Sequence, residues 1–250
     1  MVMAGWMMML SPVAMMIAPL RTARQAAPLP RPESEQAFSD WLKGALQDAP
    51  GSRVYPEVFA EAQECVVRWR RRYHGNARLW KQLFKSDKVI KELVEAAPVI
   101  AMARALVTSA KLPPGERFTV VDLCSGKGYL SMFLSEMLPS DLVESCILID
   151  KSWPPHNQEA APHHINNAHI YGPMASQSDS LTDASGGGPA SYFETWPVPL
   201  YTIKLDLKKG RSARELESYL KRCSGPVLLL AVHLYGTLSL WPLYSLVACC

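Results

Sequence analysis

From residue 118 to residue 134 the chain reads FTVVDLCSGKGYLSMFL. A β-branched apolar run leads into Asp122, small residues follow from Cys124 to Gly128, and an amphipathic run begins after them. That pattern predicts strand, tight turn and helix. Apolar runs at 145–150, 200–206 and 227–232 predict three more strands, and the first two end in Asp150 and Asp206. The run at 227–232 holds no polar residue, so it is expected to be buried on both faces. Apolar spacing predicts helices over 34–47, 56–74, 76–84, 88–109 and 211–222, the fourth with Pro98 inside it. The expected class is therefore α/β, a parallel sheet of four strands preceded by an α-helical region. Pro113, Pro114 and Gly115 mark the boundary, giving a helical region over 33–112 and a second unit over 113–250. Within the second unit, 151–199 is rich in Pro, His, Ser and Gly and reads as a flexible insertion.

The turn at 124–128 admits three nucleotide-site chemistries. A Walker A loop fails because no Ser or Thr follows Lys127. A dinucleotide fingerprint fits Gly126 and Gly128 but finds Ser131 at its third glycine. An Asp-x-x-x-Gly-x-Gly loop for S-adenosylmethionine fits Asp122, Gly126 and Gly128. A carboxylate at the strand end suits the cationic amino group of a methionine moiety and does little for a pyrophosphate. Asp122 and Ser131 thus weigh against a nicotinamide-dependent oxidoreductase. Asp150 follows Gly128 by 22 residues, close to the roughly 20 at which an acid meets ribose hydroxyls in a nucleotide-binding βαβ unit. Asp206 ends the third strand, where an acid can accept from the adenine amine. The alternative for each acid is a structural role at a strand end.

Composition adds bounds. Of the 250 residues, 48% are hydrophobic and 20% charged, enough for a real core. A net charge of +3 excludes a chain that binds nucleic acid by overall charge. One local stretch differs: 68–85 reads RWRRRYHGNARLWKQLFK, without an acid. Arg68, Arg70, Arg71, Arg72, Arg78 and Lys81 could neutralise phosphates while Trp69, Tyr73 and Trp80 stack on bases, which would suit RNA. The competing reading is a solvated basic face with its aromatics turned to the core. The six cysteines show no CxxC, and the histidines of 156–169 have no acid or thiol at a ligand spacing, so no metal site is expected. This cysteine usage points to a reducing compartment, cytoplasmic or nuclear.

Residues 1–32 are free of acids, with the first arginine at Arg21. They read as a disordered or targeting extension, an organellar transit peptide included. Pro12 and Pro19 interrupt the apolar run and no charge precedes it, which argues against a signal peptide or membrane anchor.

The segments VVDLCSGKGYLS, ILIDK, the strand reaching LDLKK, and LLLAVHLYGTLSL resemble the methyltransferase domain of eukaryotic proteins similar to the tRNA acceptor-stem 2′-O-methyltransferases and their methyltransferase-like relatives. The likeness covers 118–240. It implies a Rossmann-like class I methyltransferase fold using S-adenosylmethionine, with a sheet of order 3-2-1-4-5-7-6. By motif, Asp122, Ser125, Gly126 and Gly128, with Cys124 in the same loop, would cradle the methionine end. Asp150 would hold the ribose and Asp206 the adenine. His233 opens the motif that in the family reads His-Leu-Cys-Gly, and it is the candidate base; its structural alternative is to hydrogen-bond the strand end. Here the cysteine position is Tyr235. The tail after Leu240 lacks the pattern for three further strands, so a shortened form of a longer protein is expected. Its open sheet edge would invite a protein partner. The opposing function class is a non-catalytic fragment that keeps a cofactor-like half-fold and contacts RNA or a partner through 68–85.

Overall fold

The computed structural model describes residues 34–73, 76–84, 88–155, 160–172 and 195–232. Four helices come first: α1 (Glu35–Gln47), α2 (Pro56–Tyr73), α3 (Ala77–Phe84) and α4 (Lys88–Ser109). Each start follows from local chemistry. The Ser34 hydroxyl accepts from the Ala37 N–H at 3.2 Å, satisfying one of the helix's unpaired donors. Pro56 opens α2, where a missing N–H costs nothing. Asn76 caps α3 by accepting from the Leu79 N–H at 3.0 Å. The expected helix at 76–84 therefore begins one residue later, at Ala77.

The α/β part follows as β1 (Phe118–Leu123), α5 (Tyr129–Met137), β2 (Val143–Asp150), α6 (Ala168–Tyr171), β3 (Leu200–Lys204), α7 (Gly210–Leu220) and β4 (Val227–Leu230). Its four strands are all parallel, in the order β3-β2-β1-β4. The chain builds outward from β1 through β2 to β3, then returns to place β4 on the other side of β1. In such sheets the crevice for ligands opens at the carboxyl ends of the strands where the order reverses. Here that point lies between β1 and β4, with Asp122 level with Leu230.

Strand periodicity splits the sheet into two faces. Val120, Cys146 and Leu148 point to one side, where they join a core with Phe38, Trp69, Leu93, Ile100 and Phe133 from the helices. Val121, Leu123, Ile147 and Ile149 point to the other, where Leu216 and Leu220 of α7 cover them. The helical region thus shares one continuous core with the sheet.

One expectation changes. β4 is not buried on both faces: of its four residues only Leu230 is fully buried. Among the described residues it is the outermost strand on its side, where its residues are less covered than those of the central β1. In the described parts of 151–199, Trp153, Ile170, Trp196 and Val198 are all buried, while 175–190, where mobility is expected, lies outside the described residues. Among the described residues β3 is the other edge of the sheet, and its hydrogen bonding is partly closed. The Thr202 N–H donates to the Tyr171 hydroxyl at 2.6 Å, and that hydroxyl donates to Thr202 Oγ1 at 3.1 Å.

Glu136 of α5 ties the two regions. Its side chain is 4% exposed and lies 2.9 Å from Arg68 of α2. It also accepts from the indole N–H of the fully buried Trp69 at 3.1 Å. Glu136→Ala would strand that buried N–H and a cation, and is expected to cost about 2 kcal/mol or more. Urea unfolding of the two proteins measures it.

Candidate functional site

The glycine loop sits where β1 ends. Cys124 takes φ 57°, left-handed for a residue with a side chain, and Gly126 and Gly128 take φ 54° and 82°. The two glycines serve different needs. A Cβ on Gly128 would lie 2.3 Å from Leu148 Cδ2, a buried methyl that would have to move, so α5 starts hard against the Leu148 side chain of β2. A Cβ on Gly126 would meet nothing within 4 Å. Gly126 is therefore bare backbone facing open space, a place where a ligand can approach the chain.

Three acids converge on this loop. The Asp150 carboxylate accepts from the Gly126 N–H at 3.1 Å through one oxygen and from the Ser152 N–H at 2.8 Å through the other. Asp206, just beyond β3, accepts from the Lys208 N–H at 3.2 Å, with the Lys209 ammonium 4.0 Å away. Asp122 is 2% exposed and accepts from the Ser131 hydroxyl at 2.9 Å. Burial raises the Cys124 thiol pKa, and the Asp150, Asp122 and Asp206 carboxylates push it the same way. The thiol thus feels all three acids at once. Ser125 is pinned from two sides. Its N–H donates to Ile149 at 3.0 Å and its hydroxyl accepts from the Trp153 indole at 3.1 Å.

Several residues that shape the site carry no motif. A small cavity at the β1–β4 crevice is lined by Asp122, Ser125 and Val232, by Glu92 and Ala96 of α4, and by Tyr129 and Leu130 of α5. The Tyr129 hydroxyl donates to the Leu83 carbonyl at 2.6 Å, and the Lys127 ammonium to the Gln82 carbonyl at 3.0 Å. Both hold the loop to the last turn of α3, whose carbonyls favour a cation. On the other flank, fully buried His169 sets Nε2 2.7 Å from the Lys127 carbonyl and Nδ1 2.8 Å from the Asn166 carbonyl. Two acceptors favour an imidazolium, but burial outweighs them and lowers the pKa to about 4. Nothing in the spacing of Glu92 or His169 marks them, because each reaches the loop from a distant part of the chain.

The basic run divides. Arg68 pairs with Glu136, and Arg71 with Glu35. Arg70 lies over the Phe38 ring at 4.4 Å. Arg72 lies over the Trp196 ring at 4.0 Å and donates to the Thr195 carbonyl at 3.1 Å. Trp69 and Tyr73 are fully buried, and Trp80 stacks on Phe84 with centroids 3.6 Å apart. Trp69 and Tyr73 are therefore core side chains, as helical spacing turns them inward, while Trp80 is partly buried against that core. Of the six candidates, Arg78 and Lys81 line an open cavity. His233 lies outside the described residues. Among the described residues no group of His, Cys, Asp and Glu could hold a metal ion, and no helix is long and apolar enough to cross a membrane.

Comparison with protein-family models, curated proteins and solved structures found no match to this chain.

The glycine contrast gives a test. Gly128→Ala is expected to destabilise the fold by about 2 kcal/mol or more through overpacking and positive φ. Gly126→Ala is expected to cost only about 1 kcal/mol, since strain alone opposes it. Thermal melting of both variants separates the two. His169 gives a second. In the unfolded chain it protonates near 6.5, whereas in the fold it does so only near 4. Between those values the unfolded state binds more protons, so stability falls as pH drops through that window. The parent is expected to lose about 3 kcal/mol more than His169→Gln between pH 7 and pH 4, read from urea unfolding at each pH.

Proposed function

We propose that this chain is an S-adenosylmethionine-dependent methyltransferase of Rossmann-like class I architecture, with its donor seated on the loop at 124–128. One observation carries the reading: the Asp150 carboxylate bonds the N–H of open Gly126 at 3.1 Å in a sheet of order 3-2-1-4. Such a pairing puts a diol-binding acid against the one stretch of loop backbone left clear for a ligand. The same strand order also begins a dinucleotide fold, and the acids decide between the two. A buried Asp122 beside the crevice suits an ammonium and repels a pyrophosphate.

The donor fits the residues present. Gly126 leaves a cradle that a side chain would fill, and three carboxylates ring it. Each Asp150 oxygen accepts one backbone N–H and keeps further lone pairs for vicinal hydroxyls. Asp206 would accept from the exocyclic amine of the adenine. Asp122, held in place by Ser131, would meet the amino group of the methionine moiety. When bound, the donor supplies a sulfonium methyl group for transfer to a nucleophile. The chain's own contribution is positioning, from a loop fixed by Trp153, His169 and Lys127.

Calorimetric titration of the whole chain with S-adenosylhomocysteine tests this. Micromolar binding is expected, weakened ten-fold or more in Asp150→Ala because charge-assisted bonds to the ribose are lost. No binding by a folded chain would overturn the reading; equal binding by the variant would overturn the ribose assignment.

A further inference from the structure

A second cavity of about 630 Å³ opens between α3 and residues 160–168. It is not the crevice at β1 and β4, and the donor-binding acids do not line it. Its size falls within the range of small-ligand sites. The lining has two halves. Arg78 and Lys81 supply two cations on one wall, while Ala160, Ala161, Pro162 and Ala168 supply an apolar surface on the other. Arg78 and Lys81 are both exposed. Neither makes an ion pair with a described residue, unlike Arg68, Arg71 and Arg72.

A third cation sits at the rim. The Lys204 ammonium lies 2.8 Å from His164 Nε2, and the Ala161 N–H donates toward Nδ1 at 3.2 Å. His164 thus faces donors on both sides, and partial burial and Lys204 lower its pKa. Lys204 thus brings positive charge to this wall through His164. Among the described lining residues there is no carboxylate to neutralise it.

Both walls are anchored to one residue of the glycine loop. The Lys127 ammonium holds α3 through the Gln82 carbonyl at 3.0 Å. The Lys127 carbonyl meets His169, which directly follows the 160–168 wall, at 2.7 Å. The cavity is therefore a built feature between two fixed elements.

We infer that this cavity binds a phosphorylated ligand of nucleotide size, its phosphate between Arg78 and Lys81 and its apolar part against Ala160, Ala161 and Pro162. Arginine offers a planar fork that matches phosphate oxygens, and lysine a point charge beside it. The inference stands apart from the methyl-donor reading, since it uses none of the acids or glycines.

The test titrates the whole chain with uridine 5′-monophosphate, chosen because it lacks adenine, and with uridine as its phosphate-free control. At low ionic strength the nucleotide is expected to bind saturably and uridine not to bind. Added salt should weaken the binding. The double variant Arg78→Gln, Lys81→Gln is expected to lose ten-fold or more in affinity with an unchanged melting temperature, because both side chains are exposed. Its affinity for S-adenosylhomocysteine should match the parent's. Absence of saturable nucleotide binding, equal binding by the double variant, or displacement of the nucleotide by S-adenosylhomocysteine would each overturn the inference. A chain that binds the nucleotide but not S-adenosylhomocysteine sinks only the methyl-donor reading.

Discussion

The start of α5 packs so tightly on the Leu148 side chain of β2 that Gly128 has no room for a Cβ. At Gly128 the nearest atom of Leu148 already occupies the space a Cβ would need. This close approach fixes where α5 begins, and α5 in turn carries Phe133 and Glu136 into the helical layer. The loop before α5 runs through positive φ at Cys124, Gly126 and Gly128. The chain therefore leaves β1 in a tight arc that exposes backbone instead of side chains. Steric exclusion at one glycine makes room at the other.

An arc of strained backbone needs ties, and they come from every side. Asp150 reaches across from the neighbouring strand, Trp153 from the segment after it, His169 from α6, and the end of α3 through Gln82 and Leu83. The helical region is thus more than an appendage. Without α3 the Lys127 ammonium and the Tyr129 hydroxyl would lose their acceptors, and without Glu136 the α2 helix would lose its anchor to α5. A boundary near residue 112 separates two kinds of secondary structure, whereas the packing crosses it freely.

Much of this is written in short-range pattern. β-Branched runs closed by an acid marked β1, β2 and β3, and the Asp-x-x-x-Gly-x-Gly spacing marked the loop. Capping residues such as Ser34 and Asn76 set helix starts to within a residue. Pattern failed where partners are far apart. Nothing local told that Arg70 would lie on Phe38 or Arg72 on Trp196, so a run of cations looked like one surface when two of them are half-buried against aromatic rings. The apolar letters of β4 spoke of hydrophobicity and not of position, and an outer strand can be as apolar as a central one. Similarly, the Pro- and His-rich stretch after β2 hid Trp153 and His169 within a composition that reads as loop.

Tyr171 has a consequence for how the sheet meets the outside world. A strand edge recruits other chains by offering a row of unpaired N–H and C=O groups in register. On β3 that row is interrupted at Thr202, whose N–H is already spent on a phenol held by a neighbouring turn. An incoming chain would have to evict the ring before it could zip along the edge. The phenol thus works as a terminator, letting a short strand stay at the margin of the sheet without becoming a seed for a longer one.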